Sequence, residues 1–111
     1  MTEEIIPILW VENAKEAAKW YSRLDFIVEG EHQFEPNFPI YMFLRRGKNA
    51  IHLSEHQGDA TPNSLVYLYV ENIDEIATEF EVSIKQQPWG REIHLSDPDG
   101  NHLRLGQSQS D

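Results

Sequence analysis

Five histidines, His32, His52, His56, His94 and His102, are the residues of this chain best suited to hold a metal or to move a proton near neutral pH. There is no cysteine, which removes thiolate ligands and disulfides together. A divalent transition ion usually takes three or four protein ligands. The histidines do not form an HxxxH pair on a helix. His52 and His56 are four apart, but in a stretch that reads as strand and turn, where that spacing spans about 13 Å. His52 and His94 read as polar anchors or a proton acceptor on one sheet face, or as part-exposed side chains with no special role.

The charge narrows the partners. Nine Lys and Arg against 19 Asp and Glu give a net charge of −10. Phosphate binding needs clustered Lys and Arg, so nucleic acid is not expected. An acidic surface steers and concentrates cations, and it also simply keeps a protein in solution. The 111 residues suit one domain. No apolar run nears the roughly 18 residues a membrane span needs. The start, MTEEIIPILW, is acidic where a secretory signal is basic, and a cytoplasmic location is expected.

The elements that must position these groups show in a repetition. WVEN (10–13) returns as YVEN (69–72). At that offset Leu9/Leu68, Val11/Val70, Glu12/Glu71, Asn13/Asn72, Glu16/Glu75 and Ala18/Ala77 are identical. NAIHL (49–53) overlies NHLRL (101–105) at a shorter offset. In each copy an apolar strand (5–11, 65–70) meets an Asn with Glu three residues on, the pattern of a capped helix start. Helices are predicted over about 13–23 and 72–80. Further strands are predicted near 26–32, 40–45, 50–55, 82–87, 91–96 and 102–106, with DPDGN (97–101) as a tight turn and QSQSD as a polar tail. Pro7 lacks an N–H, which places the first strand at a sheet edge. One βαβββ unit cannot close a core, so two must pack together.

Strands alternate faces with period two. Leu9, Val11, Ile51, Leu53, Leu68, Val70, Ile93, Leu95, Leu103 and Leu105 suit the helix side. Ile6, Ile8, Trp10, Leu65, Tyr67, Tyr69, His52, Ser54, Glu92, His94, Ser96, His102, Arg104 and Gly106 then share the opposite face. Mixed rings, aliphatics and a few polar groups suit a ligand cavity; an aromatic-rich dimer interface has the same composition.

Three segments, IPILWVENAKEAAKWYSRLDF (6–26), TPNSLVYLYVENIDEIATEF (61–80) and QPWGREIHLSDPDGNHLRL (87–105), resemble the vicinal-oxygen-chelate superfamily of glyoxalases, bleomycin-resistance proteins and extradiol dioxygenases. PWGRE followed by DP-x-GN is most similar to the bleomycin-resistance branch. The resemblance implies an α+β fold of two βαβββ modules, about 4–56 and 64–106, with a concave mixed sheet and helices on its outer face. It also implies a homodimer whose N-terminal strand crosses to the partner near Pro7. The superfamily's metal-ligand positions fall on Ile6, His52, Leu65 and Arg104. Ile and Leu cannot coordinate and a guanidinium repels a cation, so neither metal nor cofactor is expected and the chain leans away from enzymes. A binder of this type sequesters a flat or cationic, bleomycin-like ligand without chemistry. Carried over by resemblance and by strand face, its contacts are Phe34, Phe38, His52, Asn63, Tyr67, Trp89, His94, Gly100 and Arg104, with Glu35 and Asp59 as carboxylates for a cationic tail. A divergent glyoxalase-like metalloenzyme of lyase or dioxygenase type, and a structural module with a filled cavity, are the alternatives. Structural roles stand beside the site: Trp89 capping the core, Arg91 pairing with Glu92, and Arg104 pairing with Glu92 or Glu12.

Overall fold

The doubled phrase opens two copies of one chain path in the computed structural model, which describes residues 3–108. The first copy runs β1 (Ile8–Trp10), α1 (Ala14–Ser22), β2 (Ile27–His32), β3 (Tyr41–Arg46) and β4 (Asn49–Ser54). The second runs β5 (Leu65–Tyr69), α2 (Ile73–Phe80), β6 (Lys85–Gln87), β7 (Gly90–Ser96) and β8 (His102–Ser108). Each forms a four-stranded mixed sheet, in the orders β1-β4-β3-β2 and β5-β8-β7-β6. This is the expected α+β fold of two βαβββ units.

The two offsets of the repeat meet in the register. Ile8 pairs with His52, Leu9 with Leu53 and Trp10 with Ser54 in the parallel β1–β4 pair. The matching pairs in β5–β8 are Tyr67 with Arg104, Leu68 with Leu105 and Tyr69 with Gly106. First and last strands therefore keep one alignment in both copies, although the chain between them is shorter in the second.

The described residues form two compact units: those up to Ser64 with Asp97–Asn101, and Leu65–Ser96 with those from His102 onward. In the first, α1 packs on β2 and β3 and buries Ala14, Ala17 and Tyr21. Leu9, Val11, Leu24, Leu44 and Leu53 complete that core. Asn13 is extended and its Oδ1 accepts from the Glu16 N–H at 3.1 Å, the expected cap. In the second unit, α2 packs on β7 and β8, with Ile73, Ile76, Ile93, Leu95, Leu103 and Leu105 buried.

Several boundaries move for local reasons. β1 begins after Pro7, which has no N–H to give, although the Pro7 carbonyl still accepts from His52 N at 3.0 Å. β1 also lies at a sheet edge, as Pro7 implied, and pairs with β4 of its own chain. β6 starts at Lys85 because Glu81 turns left-handed (φ 54°) and the Val82 N–H donates to Ala77 O, closing α2 with a Schellman-type cap. Asn72 makes no side-chain cap bond to α2. Instead the Ile73 N–H donates to Gln107 Oε1 at 3.0 Å. Gln107 and Ser108 thus extend β8 where a free polar tail was expected; the last three residues lie outside the described ones.

The DPDGN segment is more than a turn. The buried Asp97 carboxylate accepts from Tyr21 Oη (2.7 Å), Asn101 Nδ2 (3.0 Å) and the Asp99 and Asn101 N–H groups (both 2.8 Å). Asn101, itself fully buried, also donates to Trp10 O and accepts from Ser64 N. Burial, reinforced by Asp97, pushes the Tyr21 hydroxyl far above its ordinary range, so it remains a donor.

Candidate ligand-binding faces

In the second unit, the sheet face opposite α2 is a grid fixed by register. One row is Leu65, His102 and Ser96; the next is Tyr67, Arg104 and His94; the third is Tyr69, Gly106 and Glu92. Period-two alternation sends all nine the same way. Tyr67, Tyr69, Trp89, Glu92 and Arg104 line an open cleft of about 480 Å³. Trp89 is 54% exposed and Tyr69 64% exposed, so Trp89 does not cap the core. The Tyr67 and Tyr69 rings lie 5.0 Å apart, tilted. Tyr67 crosses the grid diagonally: its hydroxyl passes over Gly106, where a Cβ would strike it, and donates to Glu92 Oε2 at 2.8 Å. Partial burial, and after it the Glu92 hydrogen bond, raise the Tyr67 pKa above its ordinary value.

Neither expected pairing of Glu92 forms. Arg91 reaches Asp74 through two bonds of 2.9 and 3.1 Å, and these hold the Asp74 carboxyl below its usual range. The Arg104 side chain forms no ion pair with Glu92, whose carboxylate takes the Tyr67 hydroxyl. His94 stands beside His102, Nε2 to Nδ1 3.2 Å, with Ser96 Oγ 3.4 Å from the same Nδ1.

The first unit carries the equivalent face. Phe43, His52 and Ile8 form one row, and Tyr41, Ser54 and Trp10 the next. His52 packs edge-on against Phe43 (4.9 Å) and Tyr41 (5.2 Å), and its Nδ1 lies 2.9 Å from Tyr41 Oη. Desolvation lowers its pKa, so the ring is neutral at neutral pH. His32, Phe34, Tyr41, Phe43, His56 and Asp59 line an open cleft of about 460 Å³ with Gln57 and Gly58. Asp59 is held in place by Ser54 Oγ at 2.7 Å. Phe34 is 70% exposed and meets His32 edge-on. Phe38, also exposed, belongs to the 33–38 loop, where its carbonyl accepts from Gln33 Nε2. Asn63 (φ 61°) and Gly100 (φ 85°) meet each other: a Cβ on Gly100 would lie 2.5 Å from Asn63 Oδ1.

The structure thus brings Tyr67, Trp89 and Arg104 together, seats His52 between two rings, and pairs Asn63 with Gly100. His94 joins His102, and Phe34 lines the first cleft. Tyr41, Phe43 and Asp59 on the first face, and Tyr69 and Glu92 on the second, complete the linings. Alternation had already placed Tyr69 and Glu92 on that face. Tyr41 and Phe43 carry the same period-two signal within YMFLRR and were readable from it. Among the described residues no group of three His, Asp or Glu side chains gathers to hold a metal ion.

A family model described as glyoxalase superfamily protein matches residues 1–111. The chain belongs to the glyoxalase superfamily. Solved structures support the fold. A bleomycin resistance determinant encoded on the transposon Tn5 superposes with a TM-score of 0.76 at 22% identity, covering 97% of this chain and 99% of its own. The bleomycin-binding protein from bleomycin-producing Streptomyces verticillus, solved with copper(II)-bleomycin, gives 0.69 at 22% identity, over 98% and 100%. Lactoylglutathione lyase from Agrobacterium tumefaciens gives 0.70 at 15% identity, over 96% and 94%. No curated protein matches in sequence. In this glyoxalase-superfamily chain, the positions that resemblance assigned to metal ligands carry Ile6, His52, Leu65 and Arg104, of which only His52 has a coordinating side chain.

Proposed function

We propose that this glyoxalase-superfamily chain binds and sequesters flat small molecules on its ring-bearing sheet faces without chemistry, as a homodimer, in the manner of the bleomycin-binding members it resembles in fold. The observation that carries this reading is that in each unit large rings line an open cleft: exposed Phe34 with half-buried Tyr41 and Phe43 in one, and exposed Tyr67, Tyr69 and Trp89 in the other. Stacking on such rings adds roughly 0.5–1.5 kcal/mol per pair beyond area burial. Asp59 gives the first cleft a fixed carboxylate suited to a cationic tail. The side chains at the family's metal positions favour binding over metal-assisted catalysis, since three of the four cannot coordinate.

A thermal-shift titration with bleomycin, metal-free and copper-loaded, alongside Ni²⁺, Zn²⁺ and Mn²⁺ alone, tests this. A ligand specific to the folded state stabilises it by about 2.7 kcal/mol at a hundredfold excess over Kd. A shift with bleomycin that weakens in Phe34→Ala supports sequestration. A shift with metal alone, and none with bleomycin, would contradict it and favour a divergent metalloenzyme. His94 and His102, whose ring nitrogens approach to 3.2 Å, would then be the first residues to replace.

A further inference from the structure

The two clefts differ in charge, and the second is built around a cation. Arg104 sits at the centre of its grid, flanked by Tyr67 on β5 and His94 on β7. Arg45 reaches Glu4 and Glu29, Arg46 reaches Asp25, and Arg91 reaches Asp74. Arg23 also has a partner. The Arg104 side chain makes no hydrogen bond or ion pair with the described residues, in a chain where acidic side chains outnumber basic ones by 19 to 9. Glu92, the carboxylate lining the same cleft, accepts the Tyr67 hydroxyl instead. The Tyr67 ring is in turn seated over Gly106, where no side chain displaces it.

We infer that the Tyr67–Tyr69–Trp89–Arg104 cleft binds a flat aromatic molecule carrying an anionic group, with the rings taking its plane and the Arg104 guanidinium its charge. A guanidinium presents a planar fork of donors that matches a carboxylate, sulfonate or phosphate edge. Half-buried among rings, its interaction with an anion is less screened than on open surface. Glu92 lies one grid row beyond and disfavours a second negative charge, so the ligand carries its anion at one end. In the first unit the equivalent grid position is His52, neutral and bonded to Tyr41, and the acidic Asp59 lines that cleft. The preference for an anion therefore belongs to the second cleft alone. It rests on the reading of these faces as ligand sites.

The probes are 2-naphthoate, its neutral carboxamide, and 2-naphthylmethylammonium, three molecules with the same flat ring system. Isothermal titration of each into the full chain reads the preference, first in the native sequence and then in Arg104→Gln and Arg104→Lys. The expected result is that naphthoate binds about tenfold more tightly than the carboxamide, a typical gain for a charge-assisted pair. Arg104→Gln should collapse that ratio to near one, Arg104→Lys should retain part of it, and added salt should reduce it. Equal affinity for naphthoate and carboxamide, or tighter binding of the ammonium, would overturn the inference while leaving the ring faces as ligand sites. Failure of all three probes to bind would overturn both. The comparison of probes on the native chain holds even if a variant does not fold.

Discussion

Replacing Gly106 by alanine tests whether the second cleft is shaped as described. A Cβ there would strike the Tyr67 hydroxyl and lie 3.0 Å from Cζ and 3.2 Å from Cε1 of the same ring. The Gly106 backbone is not left-handed, so alanine fits its dihedrals. Two opposed effects follow. Removing glycine's freedom in the unfolded chain stabilises by about 0.4–1 kcal/mol. Displacing the Tyr67 ring breaks its bond to Glu92, a loss of about 0.5–1.5 kcal/mol for a part-exposed hydrogen bond. In the native background the two nearly cancel, or leave the variant slightly less stable. In a Tyr67→Ala background the three atoms nearest the new methyl are gone, and Gly106→Ala should stabilise by about the backbone gain. Urea denaturation of the four proteins reads the coupling between the two positions, expected at about 0.5–1.5 kcal/mol. If Gly106→Ala stabilises both backgrounds equally, Tyr67 is not seated over Gly106 and the cleft is not held by this contact.

Two further outcomes concern the first unit. Asp97→Ala removes the acceptor of four hydrogen bonds, three of them buried, and should cost at least about 3 kcal/mol, whereas Tyr21→Phe removes one donor and should cost about 1 kcal/mol. At roughly 4–8 °C per kcal/mol, calorimetry should show the alanine variant melting at least about 12 °C lower. His52 has a depressed pKa in the folded chain, so its neutral form contributes stability that is fully present above the unfolded value of 6.5 and is lost as pH falls through the folded value. His52→Gln should therefore flatten the loss of stability on acidification below about pH 6.5, read as urea midpoints across that range; an unchanged slope would refute the assignment.

What was legible in the sequence is what local spacing encodes. The Asn13 cap, the period-two alternation that separates Leu103 and Leu105 from His102 and Arg104, and the repeat whose two offsets meet in the strand register all act between near neighbours or through a copied pattern. The contacts that finish the site do not. Gln107 serves α2 from 34 positions away. Glu55 ties Ala14 N to Ile40 N with its two carboxylate oxygens, joining the start of α1 to the approach to β3. Tyr67 bridges to Glu92 over 25 positions. Such partners are chosen by the folded geometry among several acceptors of similar chemistry. For the same reason Arg91 met Asp74 when Glu92 stood beside it in sequence.

The central claim, that the sheet faces opposite the helices bind flat ligands, is tested most directly by mapping backbone amide NMR shifts during titration with bleomycin and, separately, with 2-naphthoate. The account predicts saturable shifts confined to β3, β4 and the 32–34 and 56–59 segments for bleomycin, and to β5, β7, β8 and Trp89 for naphthoate, with α1 and α2 unmoved. Shifts centred on the helices, or no shifts with either molecule, would contradict it.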